Sequence, residues 1–395
     1  MAYAILDKNS AVDYTVRNLR FFSDSRRLCC RDISDGNLNT VFRVSEQPTG
    51  KSVILKQGLP YARTSHDMPL SAQRCKTEAE ALKLFGTYAE AMVPQVYDYN
   101  AELCVMAMED LKDYEILRTG LLQQKQYPSL ARDAAGYFAN CLLKSSDIVL
   151  PGNEKKEMAV RFSNKELCAL TERLVLTSPT YDDPRHSAGK ELRAYLQQHL
   201  WNDEAVIKEF AVMKHIFMTK AQALLHGDAH SGSIFINEHG LKFIDAEFAF
   251  YGPMGFDVGM LTANLIMNAV YHAAHGKADY YKWIEAVTAC FIDNFKEEFH
   301  EVWQRYATEK LAKESTGFRF WYLDDILKDT AGFCACEMIR RTIGSAPVKE
   351  MTDYTDDGQK LNAQQKVIDM AKKLLLNRGQ FTGGQNYAAL MKTNF

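Results

Sequence analysis

The spacing of apolar positions changes along this chain. Up to about residue 111 they come in short runs of strand type, and beyond it they recur mainly at helical intervals. Residues 31–33, 40–44, 52–56 and 103–108 predict strands, with residues 12–19 as a short helix ahead of them. The segment Asp35-Gly36-Asn37-Leu38-Asn39 predicts the turn of a hairpin. Residues 58–73 contain Pro60 and Pro69 and read as a long loop. In residues 74–85, Glu78, Ala81, Leu82 and Phe85 fall on one side of a helix, and Lys76, Glu80 and Lys83 on the other. Glu78 is thus an acid on an apolar face and needs a partner, for which Lys56 is the candidate. Glu80 reads as a solvated charge.

Beyond Leu111, helices are predicted over 113–122, 130–145, 164–176, 191–223 (broken), 258–274, 279–299 and 316–344. Residues 177–189 read as loop, and 379–395 as loop-rich. The helical region is interrupted once. Apolar runs at 233–236 and 241–244 flank Glu238-His239-Gly240 and predict a small β-hairpin. The result is an α+β chain with a β-rich small lobe, residues 1–111, and a mostly helical large lobe, residues 112–395. No Gly/Ser-rich linker separates them, so the hinge is short.

Composition narrows the function. A length of 395 residues suffices for two substantial cores, and 47% hydrophobic with 25% charged residues is ordinary for a soluble globular protein. A net charge of −3 lacks the basic footprint of a nucleic-acid binder. The start, MAYAILDKNS, has no signal-peptide pattern. The most apolar run, 258–274, carries Gly259, Asn264, Asn268 and His272 and is too short and polar for a bilayer. The nine cysteines include no CxxC pair, so they read as reduced core thiols. A cytoplasmic protein without nucleic-acid or membrane partners is expected.

The chemistry is concentrated in residues 223–257, ALLHGDAHSGSIFINEHGLKFIDAEFAFYGPMGFD. Asp228 precedes the predicted hairpin; Asp245 and Glu247 follow it. A hairpin folds its ends back beside each other, so three carboxylates could converge, which is costly without a cation or proton between them. Asp245 and Glu247, two apart on an extended chain, would face one way and could ligate a single Mg²⁺. Ser233 is a further candidate ligand or simply a turn residue. His226 reads as structural. His230 completes a His-x-Asp-x-His cluster, but no remote His/Cys set completes a transition-metal site. Asp257 is placed to cap the helix that follows.

These spacings resemble a kinase catalytic segment, with Asp228, Ser233 and Asp245 at the positions of the catalytic aspartate, the metal-binding amide and the Mg²⁺-holding aspartate. HGD resembles the aminoglycoside phosphotransferase and choline kinase group. Together with Asp-Ala-Glu and the run from Phe248 to Asp257, it resembles the 5-methylthioribose kinase family. QGLPYAR and PLSAQR, within 57–74, and CEMIRRTIG, 336–344, are similar to that family as well, although the continuation Ser345-Ala346-Pro347 departs from it. The similarity spans about 32–117, 224–265 and 334–344.

That resemblance implies a protein-kinase-like two-lobe fold and ATP with Mg²⁺ as cofactors. It implies phosphate cover by Gly36, Asn37 and Asn39, phosphate binding by Lys56 paired to Glu78, and an adenine-binding hinge at Glu109 and Leu111. Asp228 would be the catalytic carboxylate, and Asp245, Glu247 and Ser233 the metal site. Arg340 and Arg341 would contribute to the sugar site, with Arg340 favoured as the inward one. Asp257 would tie down the catalytic loop. The implied activity is ATP-dependent phosphorylation of 5-methylthioribose at its anomeric hydroxyl, in methionine salvage, by a homodimer. The alternatives are a 5-deoxyribose kinase, an aminoglycoside kinase and, from another class, a metallophosphoesterase, which would need further His/Asp ligand motifs.

Overall fold

The structure, a computed structural model, describes residues 3–34, 39–47, 49–62 and 65–392. The chain divides into two compact units. The first is Met1–Glu115 with Lys242–Ala249, and the second is Ile116–Leu241 with Phe250–Phe395.

The first unit is built on a five-stranded antiparallel sheet. Its strands lie in the order Leu28–Asp32, Asn39–Glu46, Ser52–Gly58, Val105–Met108 and Val96–Asn100. The alternation of strand side chains decides what each face does. Val53 and Leu55, with Phe42, Val44, Val105 and Ala107, cluster with Ala11 and Tyr14 of the helix Lys8–Arg17. Lys56, one position out of phase with Leu55, therefore leaves on the opposite face and meets Glu78 of the helix Arg74–Tyr88.

Two features here differ from expectation. The supposed loop 58–73 contains a short hairpin, Tyr61–Ala62 paired with Ser65–Pro69. The strand Val96–Asn100 escaped notice because its burial pattern is mixed and its residues VYDYN are half polar.

The second unit is mostly helical. The helix Gly255–Ala274 is buried along nearly its whole length, which explains its apolar sequence without any membrane. No helix among the described residues is long and apolar enough to cross one. It crosses the helix Thr316–Ile343 at backbone contact. A Cβ on Gly255 would lie 2.6 Å from the Thr330 nitrogen, and one on Gly259 2.7 Å from the Thr330 oxygen. Two glycines four apart thus open a strip along one helix face for the other helix. Residues 379–395, expected to be loop-rich, contain the helix Gly384–Lys392, and the helix Asp357–Leu376 precedes them in a stretch for which no element was expected. Leu390, Met391 and Tyr387 of the last helix are buried, so packing orders part of a stretch expected to be loop-rich.

Candidate active site

In the first unit, the predicted Lys56–Glu78 pair forms at 2.8 Å, with Lys56 4% and Glu78 0% exposed. Asp245 joins Lys56 from the other side. Glu247 accepts from Asn39 Nδ2 at 3.0 Å and lies 3.2 Å from Arg74 Nε. Arg74 also donates to Asn39 Oδ1 at 2.9 Å and to the carbonyl oxygens of Leu59 and Ser71. The side-chain amide of Asn39 is therefore committed to this buried network. Gly36 and Asn37 lie outside the described residues.

Burial works against the Lys56 charge, but Asp245, Glu78 and Glu247 more than offset it and hold its pKa well above the usual value. Burial raises Glu78 to about 7, opposed by Lys56 and reinforced by Asp245 and Glu247. Burial likewise raises Glu247. Three carboxylates face two cations, Lys56 and Arg74, so with all three ionised one negative charge is in excess, and repulsion from Asp245 adds to the upward shifts of Glu78 and Glu247. A hard divalent cation relieves such an excess, and Asp245, whose side chain is 43% exposed, is the acid open to receive one. The donor set fits a hard divalent cation.

One sequence argument fails at this point. Asp245 and Glu247 do not face one way through extended backbone. Asp245 sits in the left-handed region at φ 65°, and Ala246–Phe248 is a 3₁₀ turn. The turn is held by contacts that propensity cannot supply. Phe243 N–H donates to Met92 O, Lys242 pairs with Glu109, and Asp245 and Glu247 bind Lys56 and Asn39. Glu109, expected at the hinge, uses its N–H on Gln95 O and its carboxylate on Lys242 and the Gln95 N–H. Leu111 is buried.

In the second unit, the short strands Ala223–Leu225 and Phe250–Gly252 pair and frame the loop that carries Asp228. Gly227 at φ 81° turns the chain between His226 and Asp228, a conformation that glycine adopts without strain. The His226 ring accepts the Asp228 N–H at 3.3 Å, the structural role expected of it. Asp257 accepts the N–H groups of His226 and Gly227, at 2.6 and 2.9 Å, and so ties down the loop. It is not a helix cap, because the helix begins at Gly255 and Asp257 lies inside its first turn. The Ser233 hydroxyl is buried beside His230 Nδ1 at 3.3 Å.

Asp228 is surrounded by cations. Arg340 and Arg341 each bring a terminal nitrogen to 3.8 Å, and His230 Nε2 lies at 3.4 Å. Burial alone would raise the Asp228 carboxyl. His230, Arg341 and Arg340 outweigh it and hold the carboxyl well below the usual carboxylate range. Burial lowers His230, opposed by the neighbouring Asp228 carboxylate. Adjacent helical residues point about 100° apart, which suggested one inward arginine. Both turn inward because Glu337, one turn back and buried, takes Arg340 Nε and Arg341 Nε together. Arg118 is a third guanidinium in this cluster and was missed by sequence reasoning. Its only signal was an arginine within a predicted helix.

The sequence profile of the phosphotransferase enzyme family matches residues 30–290. The chain is 38% identical over 394 residues to the methylthioribose kinase of Geobacillus thermodenitrificans strain NG80-2, covering 98% of this chain and 97% of that one. It is 37% identical over 381 residues to the methylthioribose kinase of Bacillus velezensis strain DSM 23117 / BGSC 10A6 / LMG 26770 / FZB42, covering 95% and 93%. Among solved structures, a choline kinase from Cryptosporidium parvum Iowa II superposes with a TM-score of 0.51 at 10% identity, covering 94% of this chain and 97% of that one, a likeness of fold alone.

Proposed function

Because the chain belongs to the methylthioribose kinases, within the phosphotransferase enzyme family, and is a small-molecule kinase, we propose that it phosphorylates 5-methylthioribose at the anomeric hydroxyl. The product is 5-methylthioribose 1-phosphate, and the step belongs to methionine salvage. The observation that carries this reading beyond the family is Asp228, held ionised among His230, Arg340 and Arg341.

A loose phosphoryl-transfer transition state asks mainly for positioning and for charge stabilisation, so a carboxylate too weak to be a strong base still suffices. Asp228 orients the sugar hydroxyl and takes its proton late in the transfer. The hemiacetal hydroxyl is more acidic than an ordinary alcohol, which suits so weak a base. Arg340 and Arg341 hold sugar or phosphoryl oxygens through planar donor forks that a lysine does not reproduce. In the first unit, Lys56 binds the nucleotide phosphates and Glu78 keeps it charged and aimed. Mg²⁺, held by Asp245 with Glu247 in support, neutralises phosphate charge when bound. A homodimeric, cytoplasmic state is part of the same reading and rests on the family resemblance; light scattering after size exclusion tests the dimer.

The experiment is an ADP-release screen with methylthioribose, 5-deoxyribose, ribose, choline and kanamycin, run on the wild type and on Asp228→Asn. Methylthioribose should give the highest kcat/KM, and Asp228→Asn should lose nearly all turnover while still binding ATP. A preference for 5-deoxyribose would move the assignment to that sugar. Near-normal turnover by Asp228→Asn would remove Asp228 from the mechanism.

A further inference from the structure

Beside the arginine pair, the second unit buries an acid that none of the roles above uses. Glu350 lies on the short helix Lys349–Thr352 and is 1% exposed. Neither of its carboxylate oxygens has a hydrogen-bond partner among the described residues. The nearest cation, Arg118 Nε, is 3.8 Å from Oε1, beyond hydrogen-bond range. That Nε is itself buried without an acceptor among the described residues. A donor and an acceptor thus face each other across a gap too wide for a direct bond. A hydroxyl, which accepts and donates at once, can bridge it.

Arg118 is not free to close the gap at little cost. Its backbone N–H donates to Ser231 O at 3.0 Å, and its side-chain Nη2 donates to Asn264 Oδ1 at 2.9 Å. The Ser231 hydroxyl donates to the same Asn264 oxygen at 2.9 Å. Gly232 makes room for the guanidinium, since a Cβ there would lie 2.9 Å from Arg118 Nη1 and 2.8 Å from the His230 ring. Arg118 is therefore fixed against the loop that carries Asp228 and His230. Glu350 belongs to the same cluster. Burial works against the Arg341 charge, and Glu337, Asp228 and Glu350 together more than offset it. The helix that supplies Asn264 packs against the helix of Glu350 and carries Asn268 one turn further on, fully buried, with neither side-chain polar atom bonded.

A buried carboxylate with both oxygens unbonded is costly unless something donates to it. We infer that Glu350, with Arg118, is a specificity-determining pair that binds the vicinal ring hydroxyls of the sugar while Asp228 addresses the reacting one. The inference rests on the sugar-kinase reading and extends it by assigning the hydroxyls that do not react. Two carboxylate oxygens match two neighbouring hydroxyl donors, and Arg118 Nε supplies the donor that one of those oxygens accepts.

The test is steady-state kinetics with methylthioribose and its 2-deoxy and 3-deoxy analogues, on the wild type and on Glu350→Gln. A site built to bond a hydroxyl rejects the analogue lacking it strongly, so at least one analogue should lose about 100-fold or more in kcat/KM on the wild type. Glu350→Gln should raise the sugar KM about tenfold or more and leave the ATP KM within about threefold. The penalty for that same missing hydroxyl should shrink in the variant, a coupling that a merely structural acid would not produce. Wild-type rates with both analogues within about threefold of the parent sugar overturn the inference. So does a hydroxyl penalty that is unchanged in Glu350→Gln, which would mean that Glu350 serves Arg118 or a buried water. If the variant does not fold, the analogue series on the wild type decides. Failure of the underlying reading has a different signature: the wild type turns over a different pentose and rejects methylthioribose, and the deoxy comparison then runs on that pentose.

Discussion

Truncating Arg340 and Arg341 one at a time probes the second unit most directly. Each guanidinium stands 3.8 Å from the same Asp228 oxygen. At an effective dielectric of about 20, one such pair interacts by about 4 kcal/mol. If roughly half survives desolvation and rearrangement, each truncation removes about 2–3 kcal/mol of transition-state stabilisation, about 10²-fold in kcat/KM for the sugar. The two losses should be similar, because the distances match and both residues share Glu337 as anchor. ATP affinity should change by less than about threefold. Lysine at either position should restore charge without restoring the rate, since it lacks the planar fork. The assay is coupled ADP release for both substrates, with nucleotide binding measured separately and thermal unfolding as a control for folding. The double variant should lose less than the product of the single losses, as expected for groups acting on one carboxylate. A single truncation that keeps wild-type kinetics refutes the shared role, and two harmless truncations remove this helix end from the sugar site.

Asp245→Asn should raise the Mg²⁺ requirement severely and Glu247→Gln less so, because Glu247 is already engaged by Arg74 and Asn39. Glu247→Gln should also destabilise the fold by about 3–5 kcal/mol, the cost of removing the carboxylate partner of a buried arginine; Mg²⁺ titration of activity and denaturant unfolding separate the two effects. A further prediction concerns pH. Burial would raise Glu337, but Arg340 and Arg341 hold it below its ordinary value. A depressed folded pKa contributes stability that is present above the unfolded value near 4.5 and is lost as pH falls through the folded one. Glu337→Gln should therefore lie furthest below wild type in unfolding free energy at pH 6–7, with the gap narrowing on acidification below about pH 4.5; a gap independent of pH would show that Glu337 contributes no titrating charge.

Local pattern carried a large part of this protein. The helical face of Glu78 marked an acid that needed a partner, because helix geometry determines where side chains point, and Lys56 at the end of a predicted strand was the candidate. The tight spacing from His226 to Asp257 marked the candidate catalytic segment, because a short loop and hairpin leave little freedom in how their residues are placed. Tertiary structure decided what local geometry cannot express. The Asp245 turn is left-handed, and the surroundings that hold it come from Met92, Lys56 and Asn39, all distant in sequence. Arg340 and Arg341 both turn toward Asp228 against their helical divergence, because long side chains follow the buried Glu337 charge more readily than the direction of their Cα–Cβ bonds. Arg118 and Glu350, separated by more than half the chain, had no shared motif. Only the packing of helices around Gly255 and Gly259, and of Lys349–Thr352 beside them, brings such residues to one buried polar cluster, where charge must be matched by contact.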